Sequence, residues 1–323
     1  MAVVQTDSAE RSREGAYHDK GVTWSQTVPR ELVHRVALSE VLLTDSVRTG
    51  DDRFVVAAQW PRAHTFYGAD GNGRHDPMLV AETLRQAGLL VGHRYYGVPT
   101  GHQFIMRHLG FTVEVANLQV GPTPSEVTAT LACSRVRRSA GGPLRSCELT
   151  MQLCRGDEPV ARAWATMACV SPGMWGRLQV LPATAEGLLA TADAAPAGDR
   201  LDAATVGRSC GDDVLLWAVP GACDDFVVRC DPSHPVLFDH PLDHVPGMAQ
   251  LEVFRQAARA LLCASGLPAG PISRLEATFD RFAPLEVPLR CAATQVSGAE
   301  VQLRLRTGAA TGGETVSSAV LAW

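Results

Sequence analysis

The stretch ETLRQAG (82–88) returns as EVFRQAA at 252–258 in a chain of 323 residues. Sliding the sequence by 170 positions places His64 on His234 and Met78 on Met248. It also places Glu82, Arg85, Gln86 and Ala87 on Glu252, Arg255, Gln256 and Ala257, with no gap from 64–88 against 234–258. A repeat spaced at more than half the chain length implies one structural unit written twice. The flanks agree. Strand-like RFVVAAQWP (53–61) precedes the first copy, and VLLWAVP (214–220) and DFVVRCD (225–231) precede the second. FIMRHLGFTVEVANLQV, SEVTATLACSRVRRS, RSCELTMQLCR and PVARAWATMACVS follow the first, between 104 and 171; RLEATFDRFAPL, VPLRCAATQVSG, AEVQLRLRTG and TVSSAVLAW follow the second, from 274 to the end. Each half therefore reads as strand, one long helix, then about four strands joined by short turns.

One helix followed by an antiparallel sheet is an α+β plan. Such a sheet covers a single helix only by curling around it, which is the hotdog arrangement. The expected fold is a tandem, or double, hotdog. The expected boundaries are a disordered leader over 1–25, a first hotdog domain over 26–180, a connector over 181–207 and a second hotdog domain over 208–323. The connector, LPATAEGLLATADAAPAGDRLDAATVG, is rich in Ala, Gly, Pro and Asp and weakly periodic.

Composition narrows the function classes. Apolar residues make up 46% and charged residues 20%, as in an ordinary globular chain. A net charge of -5 offers no footprint for nucleic acid or an anionic membrane. No apolar run reaches the length of a membrane span, and the polar N-terminus lacks a signal core. The nine cysteines are odd in number, scattered and free of any C-x-x-C pair. Free thiols in a reducing cytoplasm fit better than disulfides or zinc.

The first helix is expected over 76–92, DPMLVAETLRQAGLLVG, with Asp76 as N-cap and Pro77 at its first position. Glu82 and Arg85 are its only charges between Met78 and Val91, on one face at i, i+3 of a helix apolar nearly all round. Taking such a pair out of water costs several kcal/mol per ion. Keeping it twice reads as a site, with a salt bridge tying helix to sheet as the alternative. The second helix is expected over 246–264, with Glu252, Arg255, Gln256 and Arg259 as a polar stripe that by itself reads more readily as a solvated face than as a site. Ahead of it runs HPVLFDHPLDHVPG (234–247), dense in His and Asp. That loop would bring acid/base groups to a helix N-terminus whose amides favour an oxyanion or phosphate. A metal site is the lesser reading, because Pro241 disfavours the helix that i, i+4 ligands would need. His64 and His234, each just after a strand, are equally suited to bracing the fold.

The second copy resembles the central-helix region of hotdog β-hydroxyacyl-carrier-protein dehydratases through Pro246-Gly247, Leu251-Glu252 and Gln256-Ala257. Phe238 stands where the dehydratase histidine would fall, and His240 is near but unaligned. A resemblance covering the chain from about residue 28 rests on VPRELVHRVALSEVLLTD (28–45), both E-x-x-R-Q-A helices and HPVLFDHPLDHVPGM (234–248). It is to the A-factor biosynthesis family of γ-butyrolactone-type autoregulator synthases of actinomycetes. The resemblance implies transfer of a β-ketoacyl group, from acyl carrier protein or a CoA thioester, to the primary hydroxyl of dihydroxyacetone phosphate. The product is a phosphorylated ester leading to a butyrolactone, butenolide or furan signal.

Such a reaction needs a base, oxyanion donors and a phosphate grip. Glu82 or Glu252, its pKa raised by burial, is expected to be the base, with His240 beside it. Gly247 is expected at the thioester oxygen, and Arg255, then Arg85, at the phosphate, assisted by Gln256, Gln86 and His244. No cofactor or metal is expected, and no G-x-S-x-G nucleophile elbow is present, which favours direct transfer. The internal pseudo-dimer allows a monomer or a homodimer. Two rivals remain: a hotdog dehydratase or thioesterase, and a lactone-binding receptor, for which no basic helix-turn-helix is found.

Overall fold

A computed structural model describes residues 21–178, 198–308 and 313–323. The expected leader lies almost wholly outside these residues, as does 181–197 of the expected connector.

The first half contains β1 (Leu43–Gly50), β2 (Arg53–Trp60), the long helix α1 (Met78–Tyr96), β3 (Gln103–Val113), β4 (Ser125–Arg138), β5 (Leu144–Arg155) and β6 (Glu158–Val170). A short helix α2 (Pro172–Leu178) follows. The second half repeats the order with β7 (Leu216–Ala218), β8 (Asp225–Val228), α3 (Gly247–Ala264), β9 (Arg274–Phe279), β10 (Leu289–Ser297), β11 (Glu300–Thr307) and β12 (Thr315–Ala322). All described strands join one 12-stranded sheet in the order β1-β2-β4-β5-β6-β3-β9-β12-β11-β10-β8-β7. Read from either end, the order is the same. A pseudo-twofold axis therefore passes between β3 and β9, which pair antiparallel with Gly110 opposite Glu276 and Leu109 opposite Ala277. The tandem hotdog follows, each helix wrapped by its own half of the sheet.

α1 is buried on nearly every face, Met78, Leu79, Leu84, Leu90 and Val91 included. The sheet contributes alternate side chains to the same core: along β4, Val127, Ala129, Leu131 and Cys133 are buried. The Asp76 carboxylate accepts from the Met78 amide at 2.9 Å, and Gly97, at φ +66°, ends the helix in the left-handed conformation that glycine adopts without strain. Residues 198–207 pack against the second half. The amides of Gly198 and Leu201 donate to the carbonyls of Ala218 and Leu216, and Val206 is buried.

Candidate functional site

Each repeated Glu-x-x-Arg-Gln motif is the centre of a buried polar cluster. Glu82 Oε1 accepts from Arg35 (Nη2, 2.7 Å), Arg85 (Nη2, 2.7 Å) and Gln86 (Nε2, 2.6 Å), and Oε2 accepts from Arg85 Nε at 2.8 Å. Gln86 also donates to the Glu40 carbonyl and accepts from the Leu42 amide. The second half matches residue for residue. Glu252 takes Arg208 (Nε, 2.8 Å), Arg255 (Nε, 2.8 Å) and Gln256 (Nε2, 2.6 Å), while Gln256 bridges to the Asp213 carbonyl and the Leu215 amide. Arg35 reaches across the pseudo-dyad to the Val236 carbonyl, and Arg208 reaches back to that of Phe66. The clusters thus fasten the halves to each other.

This arrangement places several of the expected site residues inside the buried clusters. Burial pushes the Glu82 carboxyl up, but the Arg35 and Arg85 guanidiniums outweigh burial and hold it down at about 2. The expected rise of its pKa is thus a fall, which favours the carboxylate form. Glu82 and Glu252 are sealed, with their oxygens occupied by donors, and neither lines the cavity described below. Gln86 and Gln256 have spent their amide groups inside the clusters. The histidines brace the fold in both halves. His64 Nδ1 accepts from the Phe66 and Tyr67 amides with Nε2 on Glu40, and His234 does the same with the Val236 and Leu237 amides and Asp213.

The halves differ where Asp76 faces Pro246 in the 170-residue register. Arg255 Nη1 donates to both oxygens of Asp76, at 2.7 and 2.6 Å, so that guanidinium lies between two carboxylates. Burial would depress its pKa, yet Asp76 and Glu252 raise it beyond the usual arginine range. It does not line the cavity. Arg85 has no such second carboxylate. Its Nη1 has no partner among the described residues, and its side chain, 22% exposed, faces the cavity. The cluster Arg35–Glu82–Arg85 keeps one positive charge in surplus, whereas Arg208–Glu252–Arg255–Asp76 is neutral.

The cavity measures about 810 Å³ and lies between the halves. Arg35, Arg85, His34, His240 and Gly247 line it together with apolar Leu89, Met106, Met167, Met248 and Leu251; exposed Arg107, Asp280, Arg281 and Glu286 line it as well. α3 starts at Gly247 without a side-chain cap, so its first amides have no intrahelical acceptor where Gly247 and Met248 border the cavity. His244 is on the wall too, its Nδ1 2.6 Å from Asp243 and its ring beside Trp175 and Phe282. The structure therefore brings Arg85, His240, His244 and Gly247 together and leaves Glu82, Glu252, Arg255, Gln86 and Gln256 outside. Among the described residues no group of three or more His, Cys, Asp or Glu side chains has metal-binding geometry.

Sequence reasoning missed Arg35, Arg208 and His34. Their signal was present: VHRVALSEVLL (33–43) matches VGRSCGDDVLL (206–216) at an offset of 173, three residues away from the register of the helix repeat. In that register His34 falls on Gly207. Both adopt left-handed backbone, φ 51° for His34 and 74° for Gly207. This conformation costs a non-glycine residue roughly 1–2 kcal/mol, which marks His34 as a position kept for its side chain.

These features define a tandem-hotdog protein in which one of two symmetry-related polar clusters opens into a cavity between the halves. The chain belongs to the A-factor biosynthesis hotdog family (AfsA), whose domain model matches residues 20–171 and 189–323. Among its relatives is a 2-oxo-3-(phosphooxy)propyl 3-oxoalkanoate synthase of Streptomyces virginiae, 39% identical over 82% of this chain and 86% of the relative. The synthase of the same name from Streptomyces coelicolor is 36% identical over 83% of this chain and 82% of the relative. Among solved structures, an acyl-ACP thioesterase from Bacteroides thetaiotaomicron superposes with a TM-score of 0.48 at 13% identity, covering 83% of this chain and 97% of that one. Among the described residues no helix is long and apolar enough to cross a membrane.

Proposed function

We propose that this protein transfers a 3-oxoacyl group from a thioester to the primary hydroxyl of dihydroxyacetone phosphate, forming a 2-oxo-3-(phosphooxy)propyl 3-oxoalkanoate. The observation that carries the reading is the surplus guanidinium of Arg85, facing a largely apolar cavity beside the uncapped start of α3. A guanidinium with a free Nη1 is a fitting donor to phosphate. The Gly247 and Met248 amides, at the positive end of an 18-residue helix, suit the thioester oxygen and the oxyanion that develops on it. The apolar wall takes the acyl chain. Among the described residues the lining offers no serine or cysteine, only the Thr307 hydroxyl, which favours direct transfer over an acyl-enzyme. Acyl carrier protein or CoA carries the thioester, the cytoplasm supplies both substrates, and the internal pseudo-dimer serves as monomer or homodimer.

The test is thiol release from a 3-oxoacyl thioester, with and without dihydroxyacetone phosphate, followed alongside product mass. Release that requires the phosphate and yields the phosphorylated ester is the expected result. Release of free acid without the phosphate would make the protein a thioesterase instead.

A further inference from the structure

His34 is placed and oriented in a manner the second half does not repeat. Its Nε2 lies 2.9 Å from His93 Nε2, and His93 Nδ1 lies 2.7 Å from the Val98 carbonyl. A carbonyl only accepts, so His93 Nδ1 carries a proton and, in the neutral ring, its Nε2 is bare. The contact between the rings then requires His34 Nε2 to donate, which leaves the lone pair on His34 Nδ1. That nitrogen has no partner among the described residues, and His34 lines the cavity. Phe104 packs its edge on both rings, at centroid distances of 5.5 and 5.0 Å, and holds the pair in place. At the equivalent place in the other half the device is absent and blocked, because a Cβ on Gly207 would fall 2.2 Å from Arg259 Nε.

From this geometry we infer that His34 is the general base of the reaction, accepting at Nδ1 the proton of the attacking hydroxyl, and that His93 is the positioning residue that fixes its tautomer. The inference rests on the acyl transfer proposed above. The substrate O–H bond breaks as its proton passes to His34 Nδ1, and the oxygen forms a bond to the thioester carbon. When the tetrahedral intermediate collapses, the C–S bond breaks, and the departing thiolate takes the proton from the imidazolium. Ester and thiol leave, and His34 returns to its neutral form.

The charges around the ring keep it ready to accept. Burial pushes the His34 pKa down most, and His93 and Arg85 on α1 and His240 in the loop before α3 lower it further, to about 4. Phe104, from β3, contributes no charge. At neutral pH the ring is therefore unprotonated, as a base must be.

The second half indicates a substitution that keeps the fold, since Gly207 occupies the same turn. His34→Gly is expected to lower kcat for phosphate-dependent thiol release by about 100-fold or more, within the usual range for a lost general base. The KM for dihydroxyacetone phosphate should stay within about threefold, and added imidazole should restore kcat at least about tenfold. His93→Gln, which retains an acceptor for His34 Nε2, should keep most activity. His93→Leu, which removes that acceptor and frees the tautomer of His34, should lose about tenfold in kcat. A His34→Gly enzyme with kcat within about threefold of wild type, a loss confined to KM, or a kcat loss untouched by imidazole would each overturn the assignment. The wild-type arm separates the two claims: absence of phosphate-dependent release there defeats the acyl-transfer reading itself and takes this inference with it.

Discussion

Glu82 is 2% exposed in its side chain, yet it stays ionised, because two guanidiniums and a carboxamide converge on it. Its carboxyl is lowered from 4.5 to about 2, so the unfolded chain binds its proton first as pH falls. The linked stability, about 3 kcal/mol at order of magnitude, is present above pH 4.5 and is lost between about 4.5 and 2. Glu82→Gln removes that contribution and leaves Arg35 buried with a neutral partner. We expect it to cost about 3–5 kcal/mol in urea unfolding at pH 7. The gap between variant and wild type should narrow steadily below pH 4.5; a pH-independent gap would mean that Glu82 is not ionised through this range. The doubled motif drew attention to this residue correctly as buried and charged, but residue spacing alone does not show which arginines surround it. Arg35 comes from 47 positions away, through a repeat hidden by a register change of three residues.

At the scale of elements, α1 and β3 meet so closely that side-chain volume decides the shape of the cavity. A Cβ on Gly92 would fall 2.7 Å from Phe104 Cε1 and 2.9 Å from Cζ, whereas the backbone of α1 is held by its own hydrogen bonds. The ring must give way, and it is the ring that packs against His34 and His93. Gly92→Ala should therefore lower thiol release about tenfold while destabilising the fold by only about 1 kcal/mol, at the low end for overpacking. Thermal melting and kinetics on the same preparation check this; a large loss of stability with normal turnover would show that the strain is taken up in the helix. The two long helices and the strands after them were legible because they are periodic and punctuated by turn residues, whereas β1 and the short α2 were not among the expected elements. Helix ends moved modestly: α1 runs on to Tyr96, four residues past its expected end, through His93, whose ring it presents to His34.

Across the whole molecule, the pseudo-twofold axis makes every asymmetry informative. Asp76 caps α1 and neutralises Arg255; Pro246, its counterpart, does neither for α3 and Arg85. The slide of 170 residues had already aligned Asp76 with Pro246, but its meaning depends on which half each arginine reaches, a matter of tertiary packing. Symmetry then dictates the decisive substitution. Pro246→Asp should reproduce the closed half: its carboxylate would accept from the Met248 amide as Asp76 does from Met78, and would engage Arg85 as Asp76 engages Arg255. Stability should hold or rise by about 1 kcal/mol from the new cap. The KM for dihydroxyacetone phosphate should rise at least about 30-fold, since about 2 kcal/mol of a charge-assisted hydrogen bond is given up. Pro246→Asn supplies the same cap without the charge, so it should gain the stability and keep an affinity close to wild type. Equal KM values for the Asp and Asn variants would sink the claim that the uncompensated charge of Arg85 selects the phosphate. A rise confined to the aspartate would place substrate recognition in the single carboxylate by which the two halves differ.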